Sequence, residues 1–250
     1  MGDAFGALLL EQWHGKDVSE VVERDDGHIL VGSGSVAHRY FSEPDGWSPL
    51  DVAAVERCLG YVLDLGAGAG RASIELQDRG LPVLALDTSE KALHVCRCRG
   101  VRDTFLGSAL DLARQMPDRR FDSILLLGNN FGLLESPKMA HRLLQAFTRM
   151  STPSGRIIGR GLDPYSTEDP NHLRYHDYNR AAGRYGGQMR LRVRHRGEAT
   201  PWFAYWFMSP DELAHALDGS GWRIDELQQD AASYMAVLAK CIGDRRGPKR

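Results

Sequence analysis

Two aspartates and a run of alternating glycines carry the strongest chemical signal in this 250-residue chain. Asp64 precedes the run of Gly66, Gly68 and Gly70, and Asp87 follows the next apolar stretch. Glycine lets the backbone approach a ligand closely and tolerates positive φ. A helix beginning after the run offers unpaired N–H groups and its positive dipole end, and a carboxylate at the end of the next strand can accept both hydroxyls of a ribose. These residues predict a site for a nucleotide-like ligand.

The glycine spacing discriminates between nucleotide ligands. A dinucleotide fingerprint reads G-x-G-x-x-G, whereas this loop reads G-x-G-x-G and Arg71 stands where the third fingerprint glycine belongs. With Asp64 two residues ahead, the stretch resembles the first motif of class I S-adenosylmethionine-dependent methyltransferases, (D/E)-x-G-x-G-x-G. The resemblance implies S-adenosyl-L-methionine as cofactor and methyl transfer as activity. A nicotinamide-dependent dehydrogenase and a non-catalytic cofactor-binding module are the remote alternatives.

Strands and helices alternate around this loop. Apolar strands are predicted at 61–65, 82–87, 102–106, 121–127 and 155–160, with amphipathic helices between them. Such alternation predicts a parallel sheet covered on both faces. The class is therefore α/β, and the resemblance implies a Rossmann-like, doubly wound sheet of seven strands whose last strand is reversed.

The last third of the chain completes the predicted sheet. A strictly alternating strand at 188–196 and an aromatic strand at 202–208 predict a hairpin. Ser209 and Glu212 form the pattern of a capping box at a helix start. Two final strands are predicted at 222–227 and 234–241.

The resemblance assigns cofactor contacts position by position. Gly66, Ala67, Gly68 and Gly70 would form the wall against the methionine part. Asp64 would orient that loop, directly or through the cofactor's ammonium, or would only bond loop amides. Asp87 would take the ribose hydroxyls with Thr88 and Ser89 beside the adenine. The alternative for Asp87 is a helix cap, a role that Ser89 suits better.

Two further segments follow strands at the same edge of the sheet. Ser108, Ala109 and Leu110 stand where many family members have Asp-Ala, so the Ser108 side chain, Asp111 and the Ala109 amide are equal candidates for the adenine amino group. Gly128, Asn129 and Asn130 are expected to face the sulfonium and its methyl group, or to serve only a turn. The Asn-Asn-Phe sequence lacks the prolines of DNA amino-methyltransferases, which counts against a base-flipping enzyme.

Residues 1–45 and 161–208 lie outside the resemblance and are predicted to cap the acceptor within a single domain spanning 1–250. Residues 27–34 are predicted as loop, and 161–187 as too polar and aromatic for a core helix. The candidate general bases are His176, His172 and His195, with His176 first because tyrosines and Asp177 surround it. The candidate acceptor contacts are Phe131, Tyr165, Tyr175, Arg194 and Trp202.

Two side-chain patterns leave alternatives open. His172 and His176 would share a helix face, but no third ligand is evident, so no metal site is predicted. Arg190, Arg192, Arg194 and Arg196 line one strand face, which is either a solvated face or a site for an acidic group of the acceptor.

The net charge and the composition limit the partners and the location that the sequence predicts. A net charge of −2 gives no reason to expect bulk attraction to nucleic acid, and the sequence contains neither a membrane-spanning apolar run nor a signal peptide. The four cysteines have no metal or redox spacing and are predicted as unpaired thiols of a cytoplasmic protein. The tail from Asp244 is predicted to fray. Methylation of a small molecule is favoured over a peptide, protein or RNA acceptor, and the oligomeric state is not indicated.

Overall fold

The computed structural model describes residues 2–32 and 35–241. Its helices are α1 Ala4–Trp13, α2 Val36–Phe41, α3 Pro49–Glu56, α4 Arg71–Asp78, α5 Glu90–Cys98, α6 Ala109–Gln115, α7 Pro137–Met150, α8 Pro170–Ala181 and α9 Pro210–Leu217. Its strands are β1 Val21–Arg24, β2 Ile29–Val31, β3 Val62–Leu65, β4 Val83–Asp87, β5 Asp103–Leu106, β6 Phe121–Leu126, β7 Ser151–Leu162, β8 Gln188–His195, β9 Glu198–Ala199, β10 Phe203–Trp206, β11 Trp222–Asp230 and β12 Ser233–Lys240. The predicted tail from Asp244 lies outside the described residues.

The larger sheet has seven strands in the order β11-β12-β7-β6-β3-β4-β5. Strands β3 to β7 run parallel, and β12 is antiparallel to both β7 and β11. This arrangement confirms the predicted α/β Rossmann-like sheet with a reversed last strand. The carboxyl ends of β3, β4 and β6 meet at one edge, because consecutive parallel strands enter the sheet from the same side.

Both faces of this sheet are buried. Val62 packs with α3 and α4, whereas Leu63 and Leu65 pack with α6, α7 and α9 on the other face. Successive side chains of a strand point to opposite faces, so continuous apolar strands supply both cores. The result is a rigid frame for the strand ends.

A second sheet joins the two segments that lie outside the resemblance. Its strands are antiparallel in the order β10-β8-β1-β2, with β9 paired to β8. The predicted hairpin is confirmed as β8 and β10. The predicted loop at 27–34 is wrong where β2 runs, because the short apolar run there gains its partner from β1.

Helix α8 supplies a helix within the inserted segment at 161–208, for which a helical and hairpin insertion was predicted, and it is built largely from polar residues. Asp169 caps its start by accepting a hydrogen bond from the Asn171 N–H, and Pro170 occupies the first turn. Asn179 donates from its amide to the Gly186 and Gln188 carbonyls at 2.8 and 2.6 Å. The polar residues that argued against a core helix therefore anchor α8 to β8.

No helix in the described part of the chain combines the length and apolar character that a membrane span requires.

Candidate functional site

The glycine loop after β3 is held open by backbone conformation and by Asp87. Gly66, Gly68 and Gly70 have φ of 76°, 56° and 78°, which favours glycine. The Gly68 N–H donates to Asp87 Oδ2 at 2.9 Å, and the Ser89 N–H donates to Asp87 Oδ1 at 2.8 Å. Asp87 thus fixes the loop against the start of α5, and burial raises its pKa.

Asp64 acts on the loop through the helix that follows it. Its Oδ2 accepts a hydrogen bond from Ser73 Oγ at 2.6 Å. Burial raises the pKa of Asp64 from 3.8 to about 6, although the Ser73 bond opposes that change. Asp64 is thus bonded to a side chain in the first turn of α4. The partners considered from the sequence were the loop amides. A role toward the cofactor's ammonium stays a prediction.

The raised pKa of Asp64 predicts a pH-dependent stability. The folded state binds this proton more tightly than the unfolded chain, so the contribution of Asp64 falls as pH rises from about 4 to about 6. Asp64→Asn keeps an acceptor for Ser73 and removes the charge. Its free energy of unfolding relative to the unsubstituted protein is expected to rise by up to about 3 kcal/mol between pH 4 and 7.

Urea unfolding at several pH values measures this difference. Asp118→Asn, at an exposed position, is the matched control and should show no such trend. A constant difference between the Asp64→Asn and unsubstituted proteins would show that the buried carboxyl does not titrate in this range.

Three further side chains support the loop and carry no sequence motif. Cys96 Sγ donates to the Gly68 carbonyl at 3.1 Å, and Arg99 donates to the Ala69 carbonyl at 2.6 Å. Asn130 Nδ2 donates to the Leu65 and Gly66 carbonyls at 3.0 and 3.2 Å. Only Asn130 was predicted at the site. The four cysteines are free thiols, as predicted.

The start of α5 lies beside Asp87 and under the N-terminal helix. Ser89 caps α5 by accepting from the Ala92 N–H at 3.0 Å, so the predicted preference for Ser89 as cap is confirmed. Ser89 Oγ donates to Asp3 at 2.7 Å, which brings α1 onto this end of α5. Thr88 is exposed. The ribose role of Asp87 and the adenine role of Thr88 stay predictions.

The candidate adenine-binding residues after β5 form a capping box. Ser108 Oγ donates to Asp111 Oδ2 at 2.6 Å and accepts from the Asp111 N–H at 3.2 Å. Ala109 is buried, and Leu110 packs against the main core. The two side chains are therefore engaged with each other, and the choice among the three candidates remains a prediction.

The loop after β6 contacts the second sheet. Gly128 and Asn129 have φ of 67° and 72°, and Asn130 begins a short 3₁₀ helix. The Tyr205 hydroxyl donates to the Asn129 carbonyl at 2.6 Å. A Cβ at Gly132 would lie 2.1 Å from the Tyr205 ring, so glycine is needed for this close approach. β10 thus reaches the strand end where the methyl group is expected.

A buried carboxylate that the sequence did not indicate lies in this region. Glu20 is 8% exposed, forms an ion pair with Arg39 and accepts from the Tyr40 hydroxyl at 2.9 Å. Its charge adds to the burial that raises the pKa of Tyr205. The Tyr40 ring is next to the glycine loop, since a Cβ at Gly68 would lie 3.7 Å from it. Glu20 therefore lies with Tyr40 near the β3 end, and its charge acts on Tyr205, whose hydroxyl bonds the loop after β6.

His176, the first candidate base, is buried on α8. Its ring packs edge-on to Tyr165 with centroids 5.4 Å apart. Within the described residues, neither of its ring nitrogens has a hydrogen-bond partner. Burial lowers the pKa of His176 and so favours the neutral form of its ring.

The other two candidate histidines have carboxylate neighbours. His172 Nε2 lies 3.8 Å from Asp169 Oδ2, and His195 Nε2 lies 3.2 Å from Glu11 Oε2. His172 also packs against His28, with ring centroids 5.5 Å apart. The contacts of the three histidines differ, and they do not form one cluster with each other.

The candidate acceptor contacts are divided between the core, α8 and the hairpin. Phe131 is 1% exposed and stacks on Tyr234, so its ring packs in the core, and its role as an acceptor contact stays a prediction. The Tyr165 hydroxyl donates to Glu212, and the Tyr175 hydroxyl donates to Asp25 at 2.6 Å.

Three of the four hairpin arginines are paired with acidic side chains. Arg192 and Arg194 both form ion pairs with Glu23, and Arg196 pairs with Glu11. The Arg192 guanidinium carbon lies over the Trp202 ring, 4.5 Å from the ring centroid. The arginine row therefore carries its own counter-charges.

Comparison with known proteins agrees with this geometry. Residues 62–155 match a family model described as a methyltransferase domain. The curated proteins contain no match to this chain. A SAM-dependent methyltransferase from Bacteroides fragilis, in complex with S-adenosyl-L-homocysteine, has a similar structure with a TM-score of 0.80 and 22% identity, over 96% of this chain and 95% of that chain.

Two further solved structures are more distant. The CcbJ methyltransferase from Streptomyces caelestis matches with a TM-score of 0.58 and 17% identity, over 80% of this chain and 100% of that one. A Burkholderia thailandensis 1,6-didemethyltoxoflavin-N1-methyltransferase matches with a TM-score of 0.51 and 18% identity, over 77% of this chain and 76% of that one.

The sheet order and the glycine loop agree with the matched domain, so residues 62–155 are a methyltransferase domain with the class I S-adenosylmethionine-dependent fold. S-adenosyl-L-methionine is its cofactor. The residues present fit that molecule, because the three glycines hold a loop with positive φ at the end of β3 and the buried Asp87 carboxylate lies beside it.

Proposed function

We propose that this enzyme methylates an oxygen or nitrogen atom of a small molecule held between the two sheets. The observation that supports this proposal is the placement of the buried Glu20 with the half-buried Tyr40, and of the half-buried Tyr205, at two neighbouring strand ends. Tyr40 lies by the glycine loop after β3 and Tyr205 bonds the loop after β6. Polar side chains placed at neighbouring carboxyl ends suit an acceptor presented to the methyl group.

The enclosure of these side chains favours a small acceptor. Strands from 1–45 and 161–208 form one sheet, and β10 of that sheet contacts the β6 end. We infer that this sheet is the cap predicted from the sequence, and that it excludes water from the reacting atoms. The Burkholderia enzyme of similar fold is named as an N1-methyltransferase of 1,6-didemethyltoxoflavin, which is bound in its structure. A peptide, protein or RNA acceptor is the alternative.

The proposal does not require an acidic group on the acceptor. Glu23 neutralises Arg192 and Arg194, and Glu11 neutralises Arg196. An anionic acceptor would have to compete with these carboxylates for the same guanidinium groups. The ion pairs therefore weaken the prediction of an acidic acceptor that the arginine row gave.

Glu20 is our first candidate for the general base. When bound, the cofactor would supply a methyl group on a positively charged sulfur that can take the carbon–sulfur electron pair. The acceptor atom uses its own electron pair to bond the methyl carbon, so its proton must be taken up. Glu20 bonds Tyr40 near the β3 end, and its charge acts on Tyr205, whose hydroxyl bonds the loop after β6. His176 is second, followed by His172 and His195.

Transfer of label tests the class of acceptor. The purified enzyme is incubated with cofactor carrying a labelled methyl group and a cell extract separated into small-molecule, protein and RNA fractions. Label is expected in the small-molecule fraction. Asp87→Ala is run in parallel, and label should fall with it if this chain is responsible. Label confined to precipitated protein or RNA would contradict the proposal.

A further inference from the structure

Two histidines and an aspartate lie close together where the β1–β2 turn approaches the start of α8. His28 ends the turn between β1 and β2, Asp169 caps α8, and His172 lies in the first turn of α8. One ligand atom from each lies within 4.8 Å of the others. All three residues are partly buried.

This combination of donors suits a divalent transition-metal ion. Imidazole nitrogens and a carboxylate oxygen bind zinc at about 2.0–2.2 Å. Donors around one such ion lie roughly 3–3.5 Å apart by tetrahedral geometry, so a small rotation of the side chains would close the present spacing. His172 Nε2 and Asp169 Oδ2 are already 3.8 Å apart. Three protein ligands leave a coordination position for water or another oxygen ligand.

Neighbouring hydrogen bonds position the ligands. Asp169 Oδ1 accepts from the Asn171 N–H at 2.8 Å, while Oδ2 faces His172. The His28 N–H donates to Asp26 Oδ1 at 3.2 Å. Outer hydrogen bonds of this kind orient metal ligands.

The local charges also permit a cation. Arg24 lies nearby, but its guanidinium forms a bidentate pair with Asp26 at 2.9 and 2.7 Å. Besides Asp26, the site contains the Asp169 carboxylate. It lies beside the two imidazoles, which would repel each other if both were protonated. A divalent ion would satisfy the carboxylate and the imidazole lone pairs together.

We propose that His28, Asp169 and His172 bind one divalent transition-metal ion of the zinc class. The ion joins the β1–β2 turn to α8 and so fastens the N-terminal hairpin to the inserted segment. In this role His172 uses its ring nitrogen as a ligand, which removes it from the candidate bases.

Metal titration of the chelator-treated enzyme tests this site. Calorimetry with Zn²⁺ and absorption spectroscopy with Co²⁺ are expected to show one ion per chain bound by nitrogen and oxygen ligands. His28→Ala, Asp169→Asn and His172→Ala should each weaken binding by at least about tenfold, since even outer-shell changes cost 10–100-fold. His215→Ala, at an exposed position on α9, should bind as the unsubstituted enzyme does.

Thermal unfolding separates a lost ligand from a lost fold. Zn²⁺ should raise the Tm of the unsubstituted enzyme and not that of His172→Ala, while the metal-free Tm values stay similar. If His172→Ala folds poorly, the same comparison is made with His28→Gln.

Several outcomes would overturn the proposal. Binding that survives in all three variants would place the ion elsewhere. Thiolate charge-transfer absorption with Co²⁺ would point to Cys98 and His94, whose Sγ and Nε2 lie 3.6 Å apart. No saturable binding below millimolar Zn²⁺ would show that the cluster is an ordinary polar contact.

Discussion

Glu20→Gln is expected to slow methyl transfer by about 10²–10⁴-fold, the range typical for loss of a general base. The substitution keeps the shape of the side chain and leaves an oxygen that can accept from the Tyr40 hydroxyl. It removes the proton-accepting carboxylate at the strand ends. Affinity for S-adenosyl-L-homocysteine should change little, because the glycine loop and Asp87 are untouched. Single-turnover rates with the identified acceptor, and calorimetry, measure the two quantities.

Controls distinguish chemistry from positioning. Glu168→Gln, at an exposed position, should turn over normally. If Glu20 is the base, the pH dependence of the single-turnover rate should differ between Glu20→Gln and the unsubstituted enzyme, whereas Tyr205→Phe should keep the pH dependence of the unsubstituted enzyme. If Glu20→Gln is fully active and His176→Gln is slow, the base is His176, as the sequence first indicated. If both are active, neither side chain takes the proton.

Asp87→Ala is expected to weaken cofactor binding by more than tenfold. The carboxylate now accepts from the Gly68 and Ser89 N–H groups, so its removal releases the glycine loop. Two ribose hydroxyls would lose their acceptor as well, and hydrogen bonds to a charged group contribute about 1.5–3 kcal/mol each. Calorimetry with S-adenosyl-L-homocysteine measures the change.

Asp87→Asn separates the two roles of this carboxylate. Asparagine retains one oxygen for the Gly68 N–H, and its loss of affinity should be smaller than that of alanine. A cooperative thermal transition in both variants shows that the fold is kept. Unchanged affinity in Asp87→Ala would leave Asp87 with a purely structural role. The unsubstituted enzyme should show no measurable binding of nicotinamide dinucleotides.

The central sheet could be predicted because its signals are local. Each strand is a short apolar run, each helix is amphipathic, and both caps at Ser89 and Ser209 follow from neighbouring residues. The glycine loop adds a spacing that only a few ligand classes share. These features need no knowledge of distant contacts, so predicted and observed boundaries agree within a few residues.

The second sheet could not be predicted because its signals are distant. β1 and β2 are four and three residues long, and their pairing partners include β8, which comes much later in the chain. α8 has a helix start in Asp169 and Pro170, but buries polar residues such as Asn179 and gives little amphipathic pattern. A short strand gains most of its stability from pairing and burial rather than from its own residues.

The candidate base Glu20 and the candidate metal ligands could not be predicted either, because the residues around them are distant in the sequence. Glu20 has no motif, and its burial depends on Arg39 and Tyr40 folding over it. His172 lacked a third ligand in the sequence because His28 reaches it only through the β1–β2 turn. Charged and polar side chains acquire such roles from three-dimensional neighbours.

The pairing of β1 with β8 also bears on how the chain is assembled. Val21 lies opposite Arg194 and Val22 opposite Val193, so β1 can pair with β2 early, but its other edge has no partner until β8, about 170 residues further along, has been synthesised. Closing a loop of that length is slow relative to forming local βα units. We therefore expect the parallel sheet to form first and the N-terminal hairpin to join late, leaving the β1 edge exposed to other chains during synthesis.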